Sequence, residues 1–418
     1  MSVSDRELAL RLVLGDGERL EQAAGALRRL SPAALERLLA LLREQRLAPL
    51  VLARLEAADL IGGSGIDLVT PLAGDIRGWK ECSRRLRLAH LQVSRLLERA
   101  GIEVLALKGA DLAWNLYPQP WLRPQRDLDL LLPEDRLAEA LRLLEESGCR
   151  LDQDSRHPSH PGFWWHHHCS VLHPLGVKLE LHRGLWRMPV DRWPEDFSLR
   201  QDFRSASGGQ CYRRREGELL FLAPLYLHLH CLVHHLHSHL SNVGPLGLHD
   251  LKLLARWPAC RSEALAAEAA RIGAPGLPSL ADALVAWGSG ERSAPPYPAA
   301  EELLFMDRFR LFSLQMTQRP LLRLLEAWWR VHRRGYRWSE AAVAAPLPNA
   351  VGRALLLVPG LAVQPGLRRL MARRLLGRGA IAASPASVAP AQSSRDAQAE
   401  ARCRLAASQL ERMIRTPC

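Results

Sequence analysis

Residues 104–132 contain a short apolar strand, a Lys-Gly turn, a brief helix and a second strand that carries two carboxylates. Asp127 and Asp129 lie two residues apart in the second strand, where successive side chains point to opposite faces. Both carboxylates therefore share one face, about 7 Å apart along the strand, while leucines fill the other. Two like charges at this distance repel each other unless a cation lies between them. A hard divalent ion such as Mg²⁺ prefers oxygen ligands, so the pair predicts a magnesium site.

A third carboxylate lies on a later strand. Residues 177–182 alternate between apolar and polar side chains, which is typical of a half-buried strand. Lys178, Glu180 and His182 share its polar face. If this strand pairs beside the aspartate strand, Glu180 completes an acidic trio of the kind that two-metal phosphoryl or nucleotidyl transfer requires. His182 is then placed to contact a substrate or to orient the acid.

Cationic residues near the aspartates are candidates for phosphate binding. Lys108 offers a point charge to the β- and γ-phosphates, and the Gly109 backbone allows them to approach closely. A solvated turn lysine is the alternative interpretation of Lys108. Arg123 and Arg126, at the start of the aspartate strand, are the second candidates for phosphate contact.

Short motifs over roughly residues 95–255 carry a resemblance to a known family. The motifs are Leu-Lys108-Gly109-Ala-x-Leu, Tyr117-Pro118, Leu-Arg123-Pro124-x-x-Asp127-x-Asp129-Leu-Leu, Glu180-Leu181-His182, a His-rich helix, and Leu-His249-Asp250-Leu. This pattern resembles the uncharacterised bacterial nucleotidyltransferase family of the DNA polymerase β-like nucleotidyltransferase superfamily. The usual Gly-Ser turn of that superfamily is Lys108-Gly109 here, and it lies 18 residues before Asp127, farther than usual.

The resemblance implies an α+β fold, in which a small mixed β-sheet is flanked by helices and helical regions extend toward both ends. It also implies a transferase that binds ATP or another NTP as donor and uses two Mg²⁺ ions held by Asp127, Asp129 and Glu180. The nucleoside monophosphate would pass to a hydroxyl or phosphate group of a small molecule, a peptide or protein, or an RNA. Two alternatives are a non-catalytic nucleotide-binding or scaffold module of the same fold and a histidine-based metallohydrolase.

Composition divides the chain into four regions. These are a helical cap (1–75), an α/β catalytic core (76–215), a helical domain with a basic C-terminal part (216–378), and a flexible linker with a short terminal helix (379–418). We expect a helix over about 80–100, a buried helix over 219–240 and another from Leu248. For Asp250, at the start of this last helix, a catalytic role, a helix-terminal acid and a buried ion pair are all open.

Histidines are concentrated in the middle of the chain, where 14 of the 16 lie between His157 and His249. A zinc site is one hypothesis, because histidine is a common metal ligand. His166 and His168 share one face of a predicted strand over 164–172. However, the sequence has no His-Glu-x-x-His motif and no zinc-finger spacing. An anionic substrate pocket, or ordinary polar core positions, explains these residues more simply.

The formal net charge of +12 favours an anionic partner such as a nucleotide or nucleic acid. Much of the excess lies between Arg319 and Arg378, with 12 arginines against two glutamates, and solvated helix faces are the plainer interpretation. The eight cysteines contain no Cys-x-x-Cys pair, and the N-terminus lacks a secretory signal. No stretch reaches the roughly 18 apolar residues of a membrane span. We therefore expect a soluble, cytoplasmic protein.

Overall fold

A computed structural model describes nine segments of the chain and four single residues. They are residues 4–61, 68–153, 155, 168–182, 212–214, 219–238, 244–258, 260, 262–272, 274–297 and 300–305, with 409 and 413. The loop that contains His166, the arginine-rich region 319–378, and nearly all of the 379–418 region lie outside these residues.

The described residues form helices, strands and short helical turns in the following order. The N-terminal helices are α1 (Asp5–Leu14), α2 (Glu18–Arg28), α3 (Pro32–Glu44), α4 (Ala48–Ala57) and α5 (Val69–Arg99). The central elements are β1 (Leu105–Ala106), α6 (Lys108–Asn115), β2 (Asp127–Leu131), α7 (Leu137–Glu146), β3 (Arg150–Leu151), β4 (His168–His173), β5 (Val177–His182), β6 (Tyr212–Arg214) and β7 (Leu220–Leu222). The C-terminal helices are α8 (Pro224–Leu232), α9 (Gly244–Arg256), α10 (Ser262–Arg271), α11 (Leu277–Ser289) and α12 (Ala300–Leu304). Two 3₁₀ turns (Pro120–Leu122, Glu134–Arg136) and one π-helical turn (Val233–Ser238) complete the set.

The strands form one mixed sheet in the order β3-β4-β5-β2-β1-β7-β6. The β2–β5 and β1–β7 pairs are parallel, and the other neighbours are antiparallel. Helices cover this sheet, so the predicted α+β fold with a small mixed sheet is confirmed.

Hydrophobic cores lie on both faces of the sheet. Leu128 and Leu130 of β2 are wholly buried in the core that α5 and α7 line. Leu131 belongs to the opposite core, which includes the N-terminal helices α1–α4 and the C-terminal helices α8–α12. Because side chains alternate along a strand, Asp127 and Asp129 point to the same side as Leu131. The two carboxylates therefore face the helical region rather than α5 and α7.

Three predicted element boundaries are wrong. The helix expected from about residue 80 begins at Val69, so α5 crosses the predicted domain boundary at residue 75. The helix expected over 219–240 begins only at Pro224, because the apolar residues before this proline pair with β1 as strand β7. The helix expected from Leu248 begins at Gly244. The four-region division itself stays a prediction.

A cluster of ion pairs centred on the exposed Asp16 joins the N-terminal helices to α9. Asp16, just after α1, accepts hydrogen bonds from Lys252 at 2.8 Å, Arg256 at 2.6 Å and Arg54 at 3.1 Å. Arg54 also donates to backbone carbonyls at the end of α1. The cluster therefore neutralises the negative end of that helix while it joins three helices.

Among the helices that the structure describes, none combines the length and the apolarity needed to cross a membrane.

We predict that one buried histidine makes the protein less stable in mild acid. His90 on α5 stacks on Trp114, and burial together with the Arg87 charge lowers its pKa to about 3. The unfolded chain takes up a proton near pH 6.5, so stability falls as the pH drops from about 6.5 toward 3. Between pH 7.5 and pH 5, His90 should contribute a loss of about 2 kcal/mol in the free energy of unfolding.

Urea unfolding of the wild type and of His90→Phe at both pH values measures this effect. The variant keeps an aromatic ring against Trp114 and should show an acid-induced loss smaller by about 2 kcal/mol. Other buried histidines, such as His228 and His249, have lowered pKa values and retain the rest of the slope. An unchanged difference between the two pH values in the variant would contradict the assignment.

Candidate active site

The parallel pairing of β2 with β5 brings the predicted acidic residues together. In this register Asp129 is the partner of Glu180, and Asp127 is the partner of Lys178. Partners on neighbouring strands point to the same face of a sheet. Asp127, Asp129 and Glu180 therefore lie on one face, and all three side chains are buried or half-buried. This is the arrangement that the alternating pattern of residues 177–182 predicted.

Asp129 is the most enclosed of the three acids, with a side chain that is 11% exposed. Its Oδ1 atom lies 3.3 Å from Lys108 Nζ and 2.8 Å from His182 Nε2. Burial raises the pKa of Asp129, but the Lys108 charge and the His182 hydrogen bond outweigh that effect. The pKa therefore lies well below its usual range, and Asp129 is a carboxylate at neutral pH.

Asp127 has the opposite electrostatic environment. Burial raises its pKa, and the charges of Asp129 and Glu180 raise it further, while Lys108 and Lys178 offset part of the effect. No cation among the described residues forms an ion pair with Asp127. The site therefore has an acidic group whose charge is not balanced by a direct contact.

Glu180 is surrounded by nitrogen atoms. Its Oε1 atom lies 3.2 Å from Lys178 Nζ. Its Oε2 atom lies 3.7 Å from His168 Nε2 and 3.8 Å from His182 Nε2. One ligand atom from each of His168, Glu180 and His182 falls within 4.8 Å of the others, which makes them a candidate metal-binding group.

The Lys-Gly turn lies beside these acids. Lys108 has a positive φ of 41° and an ion-paired, 15% exposed side chain, so the interpretation as a solvated turn lysine is wrong. A Cβ atom at Gly109 would lie 2.9 Å from Gln125 Oε1 and 3.0 Å from Arg123 Nη1. Gln125 is 4% exposed, and its amide has no hydrogen-bond partner among the described residues. A side chain at position 109 would therefore require the ends of Gln125 and Arg123 to shift.

Arg123 is held by a buried carboxylate rather than left open to solvent. Its Nε and Nη2 atoms donate to Asp250 at 2.8–3.1 Å, and Asp250 is wholly buried. Tyr117 donates its hydroxyl hydrogen to Asp250 at 2.8 Å, and the same hydroxyl lies 3.1 Å from His249 Nδ1. Burial raises the pKa of Asp250, but Arg123 and His235 together outweigh that effect and hold the pKa below its usual range, so the Arg123–Asp250 pair is ionised.

Asp250 forms the buried ion pair that was one of the interpretations left open for it, and its partner is Arg123. Two nitrogen atoms of Arg123 donate hydrogen bonds to Asp250, and its third, Nη1, lies next to Gly109. Arg126, in contrast, is exposed next to Asp127 and has no ion pair with any residue that the structure describes. Arg126 is thus the more accessible of the two arginines proposed for phosphate contact.

Lys178 and Gln125 were not among the predicted site residues, and His168 was named only in the zinc hypothesis. Lys178 shares the alternating face of Glu180, so the sequence pattern contained that signal. His168 joins the site through the antiparallel β4–β5 register, in which it pairs with His182, and a register between separate strands cannot be read from either strand alone. Gln125 had no distinguishing signal, because nothing in its neighbours indicated its approach to Gly109.

A comparison with protein families identifies the family to which this chain belongs. A family described as uncharacterised nucleotidyltransferase matches residues 31–277, which is more than half of the chain, and the chain belongs to that family. The match begins at Ser31, just before α3, and ends at the start of α11, so helices on both sides of the sheet are included. The comparisons with curated proteins and with solved structures gave no match.

We predict that the Arg123–Asp250 pair is a major source of stability. Asp250→Ala would leave Arg123 as an uncompensated buried charge and should lower the free energy of unfolding by roughly 3–5 kcal/mol. Tyr117→Phe removes one hydrogen bond to the same carboxylate and should cost about 1–2 kcal/mol. Glu146→Ala, which breaks an exposed ion pair with Arg142, should cost under about 1 kcal/mol.

Urea unfolding at pH 7.5 measures all three variants under the same conditions. The expected order of destabilisation is Asp250→Ala, then Tyr117→Phe, then Glu146→Ala. A loss for Asp250→Ala no larger than that of the exposed control would show that the buried pair does not stabilise the fold.

Proposed function

We propose that this member of the uncharacterised nucleotidyltransferase family moves a nucleoside monophosphate from an NTP to a hydroxyl or phosphate group of an acceptor, with Mg²⁺ as the metal. The observation that carries the proposal is the register of β2 with β5. It sets Asp127, Asp129 and Glu180 on one face of the sheet, next to the Lys108-Gly109 turn.

The donor atoms of the acidic trio fit magnesium. All three residues offer carboxylate oxygens, which this ion prefers. Asp127 and Asp129 would hold both ions, and Glu180 would complete the site nearer the acceptor. When bound, the ions neutralise phosphate charge and favour attack on phosphorus. The ion pairs of Asp129 and Glu180 with lysines support this assignment, because both carboxylates already have cationic partners on this face.

The segment around α6 would bind the triphosphate. Lys108 begins this helix, and helix N-termini attract anions through their free N–H groups. Lys108 Nζ contacts Asp129, and its ammonium group would be available to the β- and γ-phosphates if this carboxylate held a metal ion. Arg126 is exposed on the same side and offers a second positive charge.

In the proposed reaction an acceptor oxygen attacks the α-phosphorus while the bond to the leaving pyrophosphate breaks. Glu180 is the candidate acceptor for the proton of an acceptor hydroxyl. His182 Nε2 lies 2.8 Å from Asp129 Oδ1 and holds this carboxylate in one orientation. The Tyr117–Arg123–Asp250 network fixes the chain on the other side of the Gly109 turn.

We predict that nucleotidyl transfer depends on both aspartates. Pyrophosphate release is measured with each NTP, MgCl₂ and a panel of hydroxyl and phosphate acceptors. Asp127→Asn and Asp129→Asn should each slow it by at least about 100-fold, because they remove charge that stabilises the transition state. Asp59→Asn is the matched control, since Asp59 is exposed after α4 and its φ of 55° is one that asparagine tolerates.

The same variants separate the alternatives. Equal rates in the wild type and both active-site variants would contradict the assignment of Asp127 and Asp129. Mg²⁺-dependent NTP binding by calorimetry, without pyrophosphate release on any acceptor, would identify the non-catalytic nucleotide-binding alternative.

We predict that Gly109→Ala impairs NTP use without unfolding the protein. The added methyl group would force the ends of the Gln125 and Arg123 side chains to shift beside Lys108, and a displacement of about 1 Å near a reacting group can cost as much as 100-fold in rate. We expect at least a ~10-fold loss of kcat/KM for the NTP. Gly78→Ala on α5 is the matched control, since a Cβ atom there meets nothing within 4 Å.

Steady-state kinetics and thermal unfolding are measured on both glycine variants. Loss of kcat/KM in Gly109→Ala at an unchanged Tm supports the role of the turn. A Gly109→Ala variant with the kinetics of Gly78→Ala would show that the turn does not approach the nucleotide.

A further inference from the structure

A group of two histidines and one carboxylate lies beside the acidic trio on the same sheet. We propose that His168, Glu180 and His182 form a binding site for a transition-metal ion of the zinc type, held by the two Nε2 atoms and by Glu180 Oε2. The proposal goes beyond nucleotidyl transfer with Mg²⁺ and does not require that the protein be a transferase.

The distances within this group are close to those around a bound ion. His168 Nε2 and His182 Nε2 lie 3.7 Å and 3.8 Å from Glu180 Oε2. Ligand atoms on a tetrahedral zinc ion, with bonds of about 2.0–2.2 Å, are roughly 3.3–3.6 Å from each other. Movements of a few tenths of an ångström would therefore bring each histidine to the tetrahedral distance from Glu180, and all three ligand atoms already lie within 4.8 Å of one another.

The sheet fixes the three ligands in place. His168 of β4 is the direct antiparallel partner of His182 of β5, and their ring centroids are 5.1 Å apart. Glu180 precedes His182 by two residues and so points to the same face. Ligands on paired strands are positioned more exactly than ligands on loops, because the backbone hydrogen bonds set their spacing.

The chemistry of the donors selects the class of ion. Imidazole nitrogen suits Zn²⁺ and other late first-row ions, whereas Mg²⁺ takes oxygen ligands. In the usual order of affinities a nitrogen-containing site binds Zn²⁺ more tightly than Mn²⁺. Lys178 Nζ lies 3.2 Å from Glu180 Oε1, so the other carboxylate oxygen, Oε2, is the one that would bind an ion together with the two histidines. His168 is 23% exposed, which gives an ion a route from solvent and leaves room for a water ligand.

The site also shares two of its groups with the proposed catalytic centre. His182 Nε2 is 2.8 Å from Asp129 Oδ1, and this contact requires a hydrogen between them. An ion at the new site takes the lone pair of the same nitrogen, so it displaces that hydrogen bond. Glu180 belongs to both groups. Zinc occupancy is therefore expected to compete with the His182–Asp129 contact.

The test is calorimetric titration of the chelator-treated, full-length protein with ZnCl₂, MnCl₂ and MgCl₂ in the absence of nucleotide. We expect one tight zinc site per chain, with affinities in the order Zn²⁺, Mn²⁺, Mg²⁺. His168→Ala, His182→Ala and Glu180→Gln should each weaken that site at least ~10-fold. His173→Ala is the matched control, because His173 lies on the same strand but outside the group, and it should bind zinc as the wild type does.

X-ray absorption of the zinc-loaded protein gives a second reading that is independent of activity. The wild type should show two imidazole ligands, and His168→Ala should show one fewer while its circular dichroism stays that of the folded protein. Zinc binding that is absent in the wild type, or that none of the three substitutions weakens, would overturn the proposal.

The Asp127→Asn variant separates this proposal from the proposed function. Zinc affinity within about twofold of the wild type, with nucleotidyl transfer lost, is the expected result, because Asp127 is not in the histidine group. Loss of zinc binding in this variant would overturn the assignment to His168, Glu180 and His182. A wild type that binds zinc as expected but transfers no nucleotide would contradict the proposed function alone.

Discussion

The candidate site depends on one structural constraint, the parallel register of β2 with β5. A shift of one residue in this register would move every side chain of one strand to the opposite face. In the register that forms, Asp129 pairs with Glu180, and leucines on the other face are wholly buried in a core. The hydrophobic alternation that stabilises the sheet thus also determines which carboxylates lie next to each other. The register that buries the leucines is the register that assembles the site.

Around this constraint the charges are arranged so that two acids have cationic or imidazole partners and one does not. Lys108 and His182 contact Asp129, while Lys178 contacts Glu180. Asp127, whose pKa is raised by burial and by its acidic neighbours, has no such contact among the described residues. An incoming divalent cation would relieve this imbalance, and lysines displaced from the carboxylates would then lie near the phosphates of a nucleotide.

Much of this site could be predicted because it depends on short-range periodicity. A period of two residues places Asp127 and Asp129 on one face, and Glu180 on a matching strand, without knowledge of the fold. The Arg123–Asp250 pair could not be predicted in this way, since its partners are far apart in sequence and meet only through helix packing. The same holds for His168, which depends on the β4–β5 register, and for β7, whose apolar residues resemble the buried helix that follows them.

The most direct measurement is a crystal structure of the protein with Mn²⁺ and a non-hydrolysable NTP analogue, with anomalous diffraction to locate the ions. We expect an ion bound by Asp127 and Asp129, Glu180 on the same side of the sheet, and the triphosphate next to Lys108 and Gly109. A nucleotide bound elsewhere, or a Glu180 side chain turned away from both aspartates, would contradict the assignment of this face as the nucleotidyl-transfer site.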